Sequence, residues 1–126
     1  MAVAYIDSSC LVALALGERE SVAIGRRLLE FEQLISSNLL EAEVRSVMRR
    51  ESETGVEVDL ASMTWMDAPR PLSREIARVL TAGYVRGADC WHLATALHLA
   101  PEPSDLTFLT LDKRQRSVAK ALGFAT

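Results

Sequence analysis

Asp7 in "YIDSSC", Asp89 in "RGADCWHLATAL" and Asp112 in "FLTLDKRQ" are the side chains of this sequence best placed to do chemistry. Asp7 and Asp112 each follow an apolar, strand-like run, and Asp89 opens a helix-like one. In open α/β sheets, ligands bind outside the carboxyl ends of the strands. Taken singly, an Asp at a helix start is an ordinary cap or dipole partner. Three of them at corresponding edge positions also read as one shared acidic pocket.

A fourth carboxylate comes from the run "NLLEAEVRSVMRR". At about 100° per residue, Leu40, Val44, Val47 and Met48 line up as the buried stripe of a helix. Glu41 and Glu43 flank that stripe on opposite sides, so periodicity does not choose between them. Glu41 has Arg45 at i+4, the favourable order for a surface ion pair, whereas Glu43 has Val47 there. That tilts the choice toward Glu43. Gathered carboxylates repel one another and raise each other's pKa unless cations neutralise them. Hard oxygen ligands suit Mg²⁺ or Mn²⁺, which keep several waters and bridge to phosphate oxygens. Such ions activate water and stabilise a departing oxygen. The chemistry implied is metal-assisted phosphodiester hydrolysis.

Cys90 and His92, beside Trp91, invite two other readings. A zinc site needs about four ligands. Cys10, Cys90, His92 and His98 are the soft candidates, but there is no CxxC or HxxxH spacing, and His92 and His98 splay apart on a helix. Cys90 and His92, two apart, do not face each other as a nucleophile and base would. Cys90 is expected to be a small core residue, and His92 a packed or hydrogen-bonding one near the acidic site. Trp91 and His98 share a helix face suited to packing on another element or on a partner. A phosphatase DxD, or the acidic pair of a phospho-receiver, has no counterpart in "YIDSSC".

The elements that must carry these residues alternate between strand and helix. "AVAYID" reads as a strand buried on both faces. It is followed by a short helix in "SSCLVALALG", capped by Ser8 or Ser9 and stopped by Gly17. An amphipathic helix in "ERESVAIGRRLLEF" is expected to turn Val22, Leu28 and Leu29 inward. "LISS" is a second strand, and a helix capped by Asn38 runs to about Glu53. "SMTWMDAPRPL" holds a short strand before Pro69 and Pro71. A helix capped at Ser73 follows, then one over "ADCWHLATALHLA" closed by Pro101 and Pro103, the strand "LTFLTL", and a helix from Asp112 to about Leu122 with Gly123 as its C-cap. This order predicts an α/β sandwich with a mainly parallel sheet.

The chain has 126 residues, of which 49% are hydrophobic and 25% charged, the size and composition of one compact domain spanning 1–126. A net charge of −3 excludes binding to nucleic acid through a uniformly basic surface. It does not exclude a nuclease, whose metal-holding carboxylates add local negative charge. Two cysteines are too few for a disulfide scaffold and point to a reducing cytoplasm. The N-terminal run lacks a basic flank and is broken by Asp7, so it is not expected to be a signal peptide. No apolar run reaches the ~18 residues of a membrane span. Arg45, Arg49, Arg50, Arg86, Lys113, Arg114 and Arg116 could meet phosphates, the "KRQR" cluster beside Asp112 best of all.

In sequence, "YIDSSCLVAL", "SSNLLEAEVRSVMRR", "RGADCWHLATAL" and "FLTLDKRQRSVAKALGF" resemble the ordered motifs of PIN-domain nucleases. The wording of the last two resembles VapC-type toxins of toxin–antitoxin pairs. The likeness covers nearly the whole chain, least well over 54–72. It implies a three-layer α/β/α sandwich and an acidic quartet of Asp7, Glu43, Asp89 and Asp112. Asp7, Asp89 and Asp112 would be the main metal ligands and Glu43 the group that handles water. Ser9 matches the family's small hydroxyl residue after the first Asp, and Thr110 the polar residue two before the last; with Lys113, Arg114 and Arg116 they are the candidate substrate contacts. The resemblance further implies Mg²⁺- or Mn²⁺-dependent RNA cleavage leaving a 5′-phosphate, a homodimer, and inhibition by a cognate antitoxin over the active-site groove. A non-catalytic PIN-like binding module is the rival reading. Cys10 and Cys90 depart from the Ala more usual at their positions, but both stay small.

Overall fold

A computed structural model of the chain describes residues 2–51 and 60–126. Four strands form one sheet: β1 (Val3–Ile6), β2 (Gln33–Ser37), β3 (Met63–Met66) and β4 (Thr107–Leu109), in the order β3-β2-β1-β4. Every pairing is parallel, with Tyr5 opposite Ile35 on one side and Phe108 on the other. The helices are α1 (Ser8–Leu16), α2 (Ser21–Leu28), α3 (Leu39–Glu51), α4 (Ser73–Ala82), α5 (Gly87–Leu99) and α6 (Lys113–Leu122).

The period-2 alternation of the strands sorts their side chains into two cores. Tyr5, Ile35 and Phe108 pack under α4, α5 and α6, together with Val79, Leu93 and Val118. Ala4, Ile6, Met63 and Leu109 face the other way, onto Cys10 and Leu11 of α1, Ile24 of α2 and Leu40, Val44 and Met48 of α3. The result is the three-layer α/β/α sandwich with a parallel sheet that the sequence predicts. The far edge of β4 is covered by the chain end, where the Phe108 N–H donates to the Ala125 carbonyl at 2.8 Å.

Parallel connections bring the start of every following helix to the carboxyl edge of the sheet. Asp7 is itself the cap of α1, its Oδ2 accepting the Ser9 N–H at 3.1 Å, where the sequence suggested Ser8 or Ser9. The strand runs straight into the helix, so the one extended residue between them takes the cap. In α2 the inner face is Ile24 with Leu28, whereas Val22 is 65% exposed and Leu29 86% exposed. Leu29 lies past the last helical turn, and Val22 is two residues from Ile24, which turns it away from α1.

At the start of α3 the Leu39 N–H donates to Ser37 Oγ at 3.1 Å, with Asn38 exposed beside it. Its expected end near Glu53 lies outside the described residues. Ser73 does begin α4 but as its first helical residue, after a buried Leu72 that offers no side-chain cap. Where α4 ends, a Cβ on Gly83 would come within 2.8 Å of Val118 Cγ2, so glycine permits the close approach to α6. Asp112 caps α6 and Gly123 closes it in the left-handed region, both as expected.

Candidate active site

Asp7 follows β1, Asp112 follows β4, Asp89 lies in the first turn of α5, and Glu43 lies on α3 just beyond β2. The structure brings all four to the carboxyl edge, and Asp89 registers the other three. Its carboxyl is pushed up from 3.8 to about 6, first by burial and then by the charges of Asp7, Asp112 and Glu43, with His92 acting in the opposite sense. No Lys or Arg among the described residues pairs with Asp7, Asp89 or Asp112.

Asp7 is 3% exposed and held by neutral donors. Besides the Ser9 N–H, the Thr110 hydroxyl stands 3.3 Å from Oδ2, and the Gln115 amide donates to Oδ1 at 3.5 Å. Gln115 is fully buried and also donates to the Asp89 carbonyl at 3.4 Å, while its Oε1 faces the Thr110 hydroxyl at 2.6 Å. One amide thus ties β1, α5 and the segment after β4 together. Asp112 Oδ1 accepts the Gln115 N–H at 2.8 Å, so Asp112-x-x-Gln115 is a capping-box spacing. Ser9 Oγ accepts the Leu111 N–H at 3.0 Å and lies 3.3 Å from Thr110 Oγ1. Ser9 and Thr110 are therefore bound into the frame around Asp7.

Glu43 is held from the opposite side. His92 Nε2 is hydrogen-bonded to Glu43 Oε1, and His92 Nδ1 lies 2.7 Å from the Tyr5 hydroxyl. Glu41 instead pairs with Arg45 at 2.8 Å on the exposed surface, as its spacing suggests. Of the other cations, Arg50 bonds Glu51, while Lys113, Arg114 and Arg116 stand exposed on the first turns of α6. The Arg114 guanidinium lies 5.8 Å from the centre of the Tyr84 ring, and Arg116 lines a cavity with Cys10, Thr110 and Leu111.

Both cysteines are free and buried, and burial pushes both thiols up, Cys10 to about 12 with the Asp7 charge adding to it. Neither is a nucleophile. Among the described residues no three His, Cys, Asp or Glu side chains are drawn together as a finished ligand set. The donors at the edge are nonetheless carboxylate oxygens, the chemistry a hard divalent cation takes. The raised Asp89 is the electrostatic cost that such a cation would relieve.

Sequence reasoning missed Gln115 and Tyr5. Gln115 sits inside the basic-looking "KRQR", but it shares a helical face with the buried Val118, Ala119 and Leu122. A polar residue on an apolar stripe was the signal that could have found it. Tyr5 reads as one more core residue of an apolar strand.

The PIN domain family model matches residues 4–121 of the chain. Among curated proteins, the chain is 35% identical over 127 aligned residues to Ribonuclease VapC46 of Mycobacterium tuberculosis, covering 99% of this chain and 96% of the relative.

Proposed function

Because this chain belongs to the PIN-domain family, we propose that it is a metal-dependent endoribonuclease acting as the toxin of a type II toxin–antitoxin pair. One observation carries the reading beyond family membership: the charges of Asp7, Asp112 and Glu43 all bear on Asp89 at one sheet edge, and no Lys or Arg among the described residues pairs with the three aspartates. A non-catalytic binding module has no use for such a gathering, which costs stability and gains nothing in affinity for an anionic polymer.

Asp7, Asp89 and Asp112 would hold Mg²⁺ or Mn²⁺, directly or through water. When bound, the ion supplies Lewis-acid polarisation of the phosphate, a more acidic water and charge compensation for the departing oxygen. Gln115, Ser9 and Thr110 keep Asp7 turned toward the edge. Glu43 orients the attacking water and takes its proton. Lys113, Arg114 and Arg116 meet the flanking phosphates and offset the acidity of the pocket for an incoming RNA strand. The partners that go with this role are a cognate VapB-like antitoxin and a second copy of the chain, in the cytoplasm. No helix among the described residues is long and apolar enough to cross a membrane.

The test is cleavage of single-stranded RNA by the purified chain with Mg²⁺, with EDTA, and after Asp7→Asn. Cleavage is expected only in the first condition, with the variant as folded as the parent by circular dichroism. A folded Asp7→Asn protein that still cuts RNA sinks the assignment.

A further inference from the structure

The contact between His92 and Glu43 is the place where the two helical layers meet over the edge of the sheet. Glu43 stands on α3, whose core lies on one face, and His92 on α5, whose core lies on the other. His92 is fully buried, and Glu43 reaches it with a side chain only 23% exposed. Behind the imidazole lies a chain of hydrogen bonds that runs through the Tyr5 hydroxyl to the Ser37 backbone. The Ser37 backbone can only donate, and its N–H meets the Tyr5 oxygen at 3.1 Å. The Tyr5 hydroxyl carries its own proton, as a phenol does at neutral pH. That proton is assigned to the 2.7 Å contact with His92 Nδ1, ahead of the Ser36, Ser37 and Thr95 hydroxyls that also surround it. A ring nitrogen that accepts is bare, so the remaining proton of the neutral ring is on Nε2, facing Glu43 Oε1.

Deepening the nuclease reading on which it rests, we infer that Tyr5 and His92 are positioning residues, a buried bracket that aims the Glu43 carboxylate at the acidic centre with His92 protonated on Nε2. A Glu on a helix surface has three rotatable bonds and samples several of their staggered states. A donor fixed in the core removes that freedom. Because the donor is a neutral ring, it orients the carboxylate and leaves it basic, which a Lys or Arg in the same place would not. Tyr5 has no contact with the reacting atoms and acts only through the ring it locks. Its own ring is stacked on Phe108 at 5.3 Å, so removing the hydroxyl leaves the packing in place.

Two measurements on the full chain test the bracket. Long-range ¹H–¹⁵N NMR of the metal-free protein at neutral pH should find His92 protonated on Nε2 and bare on Nδ1. A proton on Nδ1, alone or in addition, overturns the inference. In RNA cleavage, Tyr5→Phe should lower kcat about five- to tenfold with KM unchanged, the loss expected from one orienting hydrogen bond. His92→Phe should lose more, and His92→Gln, which restores a donor toward Glu43, should recover part of it. An unchanged kcat in Tyr5→Phe, or a loss carried by KM, overturns the inference. Absence of any cleavage by the parent chain would sink the nuclease reading instead, and the tautomer measurement stands apart from it.

Discussion

Removing one negative charge from the acidic edge should make the metal-free protein more stable, and Asp89→Asn is the clearest way to do it. The Asp89 carboxyl is raised from 3.8 to about 6, so the folded state holds its proton more tightly than the unfolded one. Stability therefore falls as pH rises through the window from about 4 to about 6, and above it the full penalty applies. At ~1.36 kcal/mol per pH unit the upper bound is about 3 kcal/mol. The side chain is partly open to water, and screening cuts this substantially. The positive end of α5 favours the charged form by a further ~0.3–1 kcal/mol, leaving about 1–2 kcal/mol for Asn to recover. With an unfolding entropy of ~2.1 cal/mol/K per residue, 126 residues convert this to a rise of about 4–8 °C in melting temperature. The assay is thermal unfolding by circular dichroism in EDTA at pH 7.5 and at pH 4, where the parent carboxyl is protonated too and the difference should vanish. Adding Mg²⁺ at pH 7.5 should raise the parent and shrink the gap, because the variant has lost a ligand. A variant that melts at or below the parent in EDTA at pH 7.5, or a gain that persists at pH 4, refutes the reasoning that these carboxylates strain one another.

Gln115→Ala removes the buried amide that joins Asp7, Thr110 and the Asp89 carbonyl; urea unfolding should record a loss of ~2–4 kcal/mol, from a cavity and stranded polar groups together. Replacing Lys113, Arg114 and Arg116 together by Ala should weaken RNA binding across sequences and flatten the salt dependence by about two units of log K per log salt, read by fluorescence anisotropy with Asp7→Asn as the uncleaving background.

What the sequence made legible follows from contrast. Asp7 and Asp112 stand out because each follows a strand-like, largely apolar run, so their place on the sheet edge could be read directly. The Glu41 and Glu43 pair was separable because Arg45 gives one of them a surface role, and the structure makes that ion pair. Where contrast disappears, reading fails. Residues 92–97 of α5 are all buried, so its apolar character runs nearly all round and no face can be picked out for His92 or Thr95. Val22 and Leu29 failed for the opposite reason: a short helix with few apolar residues leaves their type to stand in for position, and both point to water. Gln115 was hidden by its neighbours' charges, although its place on the stripe of α6 marks it as inward. The hydrogen bonds of Tyr5 span 87 residues to His92 and 32 to Ser37, distances at which no local pattern operates.

The partners chosen for the acids share one property that explains why the edge is built from Ser, Thr, Gln and His. Asp7 is almost fully buried, and a buried carboxylate is normally stabilised by a Lys or Arg. Here its donors are a backbone N–H and an amide, with the Thr110 hydroxyl 3.3 Å away, and Glu43 meets the His92 imidazole, neutral in the bracket inferred above. Neutral donors fix direction and satisfy lone pairs without cancelling charge. A Lys or Arg beside Asp7 would instead cancel the charge that the proposed divalent cation would use. That no Lys or Arg among the described residues pairs with the three aspartates, and that Asp89 is raised, are thus two consequences of the same choice: on the proposed metal-dependent reading, the edge is kept negative and ordered for an ion at some cost in stability.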